Sequence, residues 1–449
     1  MDRQCILRGV GGGMDRGSGT QEDGDGRRAE DTVDTRRASR NVLVVGAGLA
    51  GLACARDLAA AGLPVQVLEA GDGVGGRVRS DRVRGFVIDR GFQVFNTSYP
   101  QVKARMDLRA LRLSPFTPGV VTHTGEGRTR RLVDPSRRPR EARRLLGSGV
   151  SPRDLAALGV LAARDACAPA ALLRRGGRER TTLEVLRGAG FSDAFVEEFF
   201  RPFLSGVFLE DELETSGRVF HLVWRSMLRG TLCLPAAGIG AVPAQLADGL
   251  PPGTVRLETA VTELTDDGVL TAEHGELAAA AVVVATGPGV ARRLLDWVEP
   301  PPYRTVTTWY HAAPGLRGYG PDLVTDVARR FLNTCVLSEV SPGYAPAGTS
   351  LVATSVLGTG SPGTGTALLG TLAEVYGTDT GSWEEVAVRT VEEALPAMTG
   401  PWPLSRPAGL GAHRYVCGDH RATGSVQGAL ASGARAAREI LVDLGGAAR

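Results

Sequence analysis

The sequence predicts an α/β protein: a Rossmann-like βαβ nucleotide-binding domain in three sequence pieces, with a discontinuous mixed α+β domain inserted between them. Three observations carry this. The apolar run Val42 to Val45 leads straight into Gly46-Ala47-Gly48-Leu49-Ala50-Gly51, and the next such run, Val65 to Leu68, ends in Glu69. Two further strand-like runs come far downstream, Ala281-Val282-Val283-Val284-Ala285 and Tyr415 to Cys417. Between the pieces the texture changes twice, at residues 106–230 and 296–404.

Residues 1–40 hold Gly, Arg, Asp and Glu with hardly an apolar cluster. Such a segment buries too little surface to offset its ordering entropy, so a disordered tail is expected. Order begins at Asn41. In the glycine-rich turn Gly46 permits the tight bend, Gly48 lets backbone approach a pyrophosphate, and Gly51 lets helix pack on strand. A small-residue helix runs to about Ala61 and supplies free N–H groups and a positive dipole end, with Gly62 as its C-cap glycine. Glu69, 23 residues past Gly46, stands where a carboxylate accepts both ribose hydroxyls and repels a 2′-phosphate. Strands are expected at Val255 to Leu264 and Glu276 to Ala285, and a last helix from its N-cap Ser425 to about Leu444.

The inserted stretches read differently. Residues 106–230 open with strand-like pieces and turn helical around Phe191 to Phe208; residues 296–404 alternate β-branched runs with Gly/Pro turns. A helix is expected from about Trp383 to Leu395. The nucleotide-binding domain therefore takes 41–105, 231–295 and 405–449, and the second domain takes 106–230 and 296–404. Phe195, Phe200, Phe203 and Phe208 recur at near-helical spacing, which suits a core first and the wall of an apolar tunnel second.

Gly73-Val74-Gly75-Gly76-Arg77 follows Glu69, placing a second glycine turn where Arg77 can reach a phosphate. It resembles the GG-R element of the FAD-dependent amine oxidase and phytoene desaturase superfamily. Val416-Cys417-Gly418-Asp419 to Gly428-Ala429 resembles that superfamily's closing flavin motif, and Pro235 to Leu246 resembles its P-x-G-G-M turn and helix. The matches span about 41–95, 231–290 and 410–440. The resemblance implies FAD, with Gly46, Gly48, Gly51, Glu69, Gly76, Arg77, Gly91, Val261, Gly418, Asp419, Ser425, Val426 and Gln427 around it. Val261 would offer backbone to the adenine, Gly418 and Asp419 would meet the ribityl–pyrophosphate part, and Gly424 to Gln427 would lie under the pyrimidine edge. Asp89-Arg90-Gly91-Phe92-Gln93 resembles the segment that runs past the flavin. No cysteine lies between Val336 and Val416, so the expected FAD is non-covalent.

The implied activity is an FAD-dependent oxidoreductase that moves a hydride from a C–H or C–N carbon to flavin N5. It reads as phytoene desaturase-like, acting on a small lipophilic substrate. Lys103 is the only lysine of the chain, so the lysine that the family's amine oxidases place near N5 has no counterpart in the inserts. An amine oxidase is the first alternative; a flavin-dependent isomerase and a non-catalytic flavin protein are the others. Arg90, Tyr310 and His420 are the candidate reacting residues.

Composition bounds the rest. The 449 residues carry 43% hydrophobic and 22% charged residues and a formal net charge of +2, a soluble globular balance that asks for no nucleic acid. The six cysteines show no CxxC, so neither a metal site nor a disulfide framework is indicated, and a reducing cytoplasm is expected. No apolar run reaches the ~18 residues of a membrane span. Eight arginines between Arg128 and Arg144 suit a solvated face or a peripheral contact with anionic lipid.

Overall fold

The computed structural model describes residues 41–141, 149–174, 179–295 and 298–445; the expected tail at 1–40 and Arg143 and Arg144 lie outside them. A parallel sheet of five strands forms the first layer, in the order Val255–Arg256, Val65–Leu68, Val42–Val45, Ala281–Val284, Arg414–Val416. Val42–Val45 and Ala281–Val284 are buried along their whole length. That is why they read as continuous apolar runs rather than alternating ones. Strands distant in sequence thus become neighbours: Val42 pairs with Ala281 and Val282 with Arg414.

Helix Leu49–Ala60 follows the first strand and packs along the closing helix Val426–Asp443. Both carry small residues on the shared face. A Cβ on Gly433 would stand 2.0 Å from the Ala50 carbonyl oxygen, so the two backbones touch there with no room for a methyl. At the helix start, a Cβ on Gly51 would meet the Gly46 carbonyl oxygen at 2.1 Å, and Gly46 itself sits at φ +104°. The roles assigned to these two glycines are met: one turns, the other lets helix close on turn.

A seven-stranded sheet forms the second layer, in the order Glu384–Pro396, Tyr303–Pro314, Thr349–Leu357, Asn333–Val336, Val324–Asp326, Gly119–Gly125, Arg128–Val133. Val324–Asp326 pairs in parallel with Gly119–Gly125, which joins strands from both inserted stretches in one sheet. Helices Pro152–Cys167, Thr182–Gly188, Arg201–Phe208 and Gly217–Arg229 pack beside it. A π-helical turn, Val196–Phe200, interrupts the phenylalanine-rich segment.

Three expectations change. Residues 384–396 form a strand, not a helix. Their Glu and Ala content looks helical, but Val386, Val388, Thr390 and Val391 favour an extended chain, and the segment pairs with Tyr303–Pro314 as an edge strand. Edge exposure blurs the apolar alternation, and the charges guard the open edge. The helix of this region is instead Thr364–Tyr376, between glycines 363 and 377 in left-handed conformation. The expected strand 255–264 is two short ones, Val255–Arg256 and Val261–Leu264, in different sheets, and 276–285 also splits, into Gly275–Ala278 and Ala281–Val284.

The helix contact gives a direct stability test. Gly433→Ala forces the two helices apart and should destabilise by about 1–3 kcal/mol, the range for overpacking. Gly159→Ala lies mid-helix with no atom within 4 Å of the new methyl and should be neutral or stabilising. Urea midpoints of both variants check this pair; equal midpoints would refute the packing account.

Candidate cofactor and active site

Three distant segments converge on Arg77. One Nη donates to Asp419 Oδ1 at 2.7 Å and the other to the Ala394 carbonyl at 2.7 Å. Asp419 is 5% exposed, so the pair is held away from bulk water. The GG-R element, the closing motif and the long edge strand thereby meet at one guanidinium. Its plane lies 5.8 Å from the Tyr303 ring centroid. Tyr303 begins the neighbouring strand and its hydroxyl is buried without a partner. Sequence reading missed it, because nothing around it forms a motif.

The first glycine turn and the GG-R turn are stitched together. Gly75 N–H donates to the Ala47 carbonyl at 2.8 Å, and a Cβ on Gly76 would lie 3.6 Å from Gly48 Cα. A Cβ on Gly48 would meet nothing within 4 Å, so this residue faces open space. Helix Leu49–Ala60 starts there with no side-chain cap and no acidic residue in its first turn, leaving its positive end available to an anion.

Glu69 accepts from Ala47 N–H at 2.7 Å through one oxygen and from Gly71 N–H at 2.9 Å through the other. The carboxylate is oriented by both turns, and each oxygen keeps a further lone-pair direction. Thr259 N–H donates to the Glu69 carbonyl at 2.8 Å, which brings the Val261 strand alongside.

At the closing motif, Ser425 caps its helix by accepting from Gly428 N–H at 3.0 Å. Val426 and Gln427 occupy the first turn; the Gln427 side chain turns away to accept from Gln101 N–H at 2.9 Å. Gly418 N–H donates to Ser432 Oγ at 3.0 Å. Gly424 packs on the edge strand, where a Cβ would meet Leu395 at 2.9 Å. Gly428 serves a different purpose from close contact with a ring or a neighbouring helix: a Cβ there would strike the Thr423 carbonyl oxygen at 1.8 Å, inside its own turn.

The candidate reacting residues do not come together. Arg90 makes a two-point ion pair with Asp81, Nε at 3.1 Å and Nη2 at 2.9 Å. Tyr310 is fully buried and donates to the Asp89 carbonyl at 2.8 Å, so it is a packing and tethering residue rather than a wall. His420 is 2% exposed, its ring folded against Gly418, and burial pushes its pKa down to about 4. It stays neutral and has no access to a proton in transit. Gly91, at φ +87°, lies under the edge strand, where a Cβ would stand 3.3 Å from Val391. The four phenylalanines do not form a tunnel: Phe195, Phe200 and Phe208 are buried core, Phe203 packs against it, and Phe200 stacks edge-on to Phe199 at 5.0 Å and tilts against Trp224 at 5.8 Å.

Asp89 holds the region in place. It is 2% exposed and accepts from Ser80 Oγ at 2.5 Å, Ile239 N–H at 3.0 Å and Tyr344 O–H at 3.0 Å. Among the described residues no cation meets it, and burial raises its carboxyl to about 6.

Solved structures of mixed α/β fold superimpose on most of the chain, which shows the fold. A putative protoporphyrinogen oxidase from Exiguobacterium sp. 255-15 aligns with a TM-score of 0.67 and 19% identity over 90% of this chain and 99% of that one. Cyclohexylamine oxidase from Brevibacterium oxydans IH-35A aligns with a TM-score of 0.63 and 17% identity over 90% and 99%. The family follows: residues 49–441 match the model for flavin containing amine oxidoreductases, and the chain belongs to that family. Among curated relatives, putrescine oxidase of Kocuria rosea is 48% identical over 68 residues, 15% of this chain and 14% of that protein. Lysine-specific histone demethylase 1B of Mus musculus is 54% identical over 59 residues, 13% of this chain and 7% of that protein. These matches cover only a small part of either relative. Among the described residues no helix is long and apolar enough to cross a membrane.

Two measurements test the site. Glu69→Ala frees the Ala47 and Gly71 N–H groups that this carboxylate holds, so flavin retained through gel filtration should fall at least tenfold; full retention would show that Glu69 is no part of the cofactor site. Asp89 sets a pH signature. Between about 4, its unfolded value, and about 6 the folded protein keeps a proton that the unfolded chain has lost, so stability falls as pH rises through this window. Asp89→Asn removes that titration. Its stability relative to the parent should therefore rise by on the order of 2–3 kcal/mol between about pH 4 and pH 7. A difference that does not move with pH would refute it.

Proposed function

We propose that the chain is an FAD-dependent oxidoreductase that takes a hydride from the carbon beside an amine nitrogen. The observation that carries this reading is the convergence on Arg77 of the glycine turn, the closing motif and the edge strand of the second sheet. Gly46, Gly48, Gly51 and the uncapped helix start would hold the pyrophosphate; Glu69 would take the ribose, and Val261 backbone the adenine. Gly76, Arg77, Gly418 and Asp419 would flank the middle of the cofactor. Ser425, Val426 and Gln427 would set the helix start beneath the flavin's pyrimidine edge, with Gly91 across from it. FAD would be non-covalent: Cys54, Cys233, Cys335 and Cys417 are all buried in the interior.

The five-stranded sheet draws only on 41–105, 231–295 and 405–449 and the seven-stranded sheet only on 106–230 and 296–404, which supports a division into a cofactor and a substrate domain on those bounds; Leu113–Pro115, which pairs with Leu232–Pro235, crosses it. FAD held by these residues would supply the hydride acceptor for oxidation of a C–N bond to C=N. The chain's own part is to orient the amine and exclude water, because a neutral amine needs no protein base. Amine oxidation is favoured over desaturation of a lipophilic chain by two observations. The phenylalanines are consumed as core, and the cavity beside Gly76 and Arg77 is lined with charge.

The purified protein should be yellow and release FAD on heating. Primary amines added without oxygen should bleach it, while carotenoid-like hydrocarbons leave it yellow. Bleaching by hydrocarbons and not by amines would overturn the reading.

A further inference from the structure

Three arginines gather where the chain returns from the second sheet to the closing helix. Asp419 leaves its turn toward Arg77, but Arg421, two residues on, turns instead to the Pro407 carbonyl, to which its Nη2 donates at 2.7 Å. Arg435 of the closing helix donates through Nη1 to the Arg406 carbonyl at 3.0 Å. Consecutive carbonyls thus hold two guanidinium groups beside each other. The third belongs to Arg406 itself, whose guanidinium carbon lies 5.1 Å from the Trp402 ring centroid and whose backbone N–H donates to the Arg421 carbonyl at 2.9 Å. None of these contacts involves Arg77, Asp419 or either glycine turn.

Elsewhere the chain pairs clustered arginines with acids. In the run expected to face solvent or lipid, Arg130 meets Glu198, Arg131 meets Asp322, Arg137 meets Asp134 and Arg138 meets Glu141. Arg406, Arg421 and Arg435 differ. Their side chains meet carbonyl groups and an indole, and among the described residues no carboxylate stands within ion-pair distance of them. Glu439, the acid whose charge reaches Arg421 and Arg435, spends one oxygen on Ala408 and Gly409 N–H at 2.9 and 2.7 Å. Burial lowers the pKa of all three guanidinium groups, and repulsion from Arg406 and Arg435 lowers Arg421 further. Donors stand idle as well: Arg421 Nε is buried without a partner, and the Arg406 side chain makes no hydrogen bond among the described residues. Gathering like charges with unused donors is costly until an anion completes the cluster.

We propose that Arg406, Arg421 and Arg435 bind the phosphate group of a small soluble anion, inorganic phosphate or a phosphoester, at a site apart from the cofactor's own pyrophosphate. Three cations against Glu439 leave a surplus of two charges, which a phosphate dianion matches. Guanidinium forks present paired N–H groups to phosphate oxygens, a contact that gains strength where water is partly excluded. Arg406 also borders a cavity of about 550 Å³ with Arg292, Glu299 and Glu393. The two acids offset the two arginines there, and neither Arg421 nor Arg435 lines that cavity, so the anion belongs on the Arg421 side of Arg406. It would join the Trp402–Pro407 crossing to the turn that carries Asp419. The site is independent of which bond the flavin oxidises.

The test uses the protein saturated with flavin, so that the cofactor's phosphate positions are filled, and calorimetry with inorganic phosphate at about pH 8, where it is a dianion, at constant ionic strength. Phosphate should bind at least tenfold tighter than the monoanion nitrate and release no flavin. Arg406→Gln should weaken phosphate at least tenfold at unchanged flavin content. Glu439→Gln keeps an oxygen for the Ala408 and Gly409 N–H groups while removing the opposing charge. It should tighten phosphate several-fold, a gain that mere loss of structure would not produce. Equal binding of phosphate and nitrate, phosphate binding unaffected by Arg406→Gln, weaker phosphate binding in Glu439→Gln, or displacement of flavin by phosphate would each overturn the proposal. Phosphatidic acid vesicles separate the other source of the same chemistry: capture of the protein by vesicles with no binding of soluble phosphate would also overturn it.

Discussion

A buried carboxyl group held by neutral hydrogen-bond donors organises the junction between the two sheets. Asp89 is buried, and the three hydrogen bonds its carboxyl accepts come from three different pieces of chain: Ser80 on its own hairpin, Ile239 in the turn before helix Ala241–Asp248, and Tyr344 from the second insert. Its backbone carbonyl takes Tyr310 from the seven-stranded sheet. Leaving such a group unpaired in the interior costs about 1–3 kcal/mol per lost partner, more if it is charged. The segments are therefore locked together by mutual need rather than by shape alone. Residues 90–93 leave this knot directly, which sets where Gly91 and Arg90 stand.

The second constraint is ionic. Arg77 and Asp419 lie 342 positions apart, yet a desolvated charge on either would be far costlier than the pair. This joins the glycine-rich front of the molecule to its closing helix. The Gly433–Ala50 backbone contact fixes the same two elements farther along. With both ends pinned, the turn at Thr423–Ser425 has little freedom, and Gly428 keeps it tight by leaving room for the Thr423 carbonyl. The substitution-sensitive glycine of this motif thus acts on the chain's own turn, and any effect on a bound flavin passes through that turn.

Much of this was legible in the sequence because the first layer is built from local rules. Buried parallel strands show as unbroken apolar runs, and a backbone that must turn at φ +104° or admit a helix at contact distance leaves glycine as its record, as at Gly46 and Gly51. Ser425 announced its cap in the same way. The second layer follows non-local rules. Tyr310 and His420 looked reactive by type and neighbourhood, yet tertiary contacts decide that one tethers Asp89 and the other is sealed beneath Gly418. Tyr303 stands against Arg77 only because a strand from the second insert lies there. No pattern within twenty residues of it records that contact.

The edge strand shows why one misread element conceals chemistry. Read as a helix, Glu384–Pro396 is a charged amphipathic segment whose Arg389 is one solvated cation among several acids, with Glu385 and Glu393 at helical spacing to offset it. Read as a strand, alternate residues share a face, and Arg389 and Val391 turn together toward Gly91 and Asp81 while the neighbouring glutamates are spread along an open edge. The charges that keep this edge from pairing with another chain are the same kind of residue that equips a cavity wall. Which residues line the cavity beside Gly76 is therefore a property of sheet register: shifting the pairing by one residue would carry Arg389 to the far face and leave Asp81 to Arg90 alone.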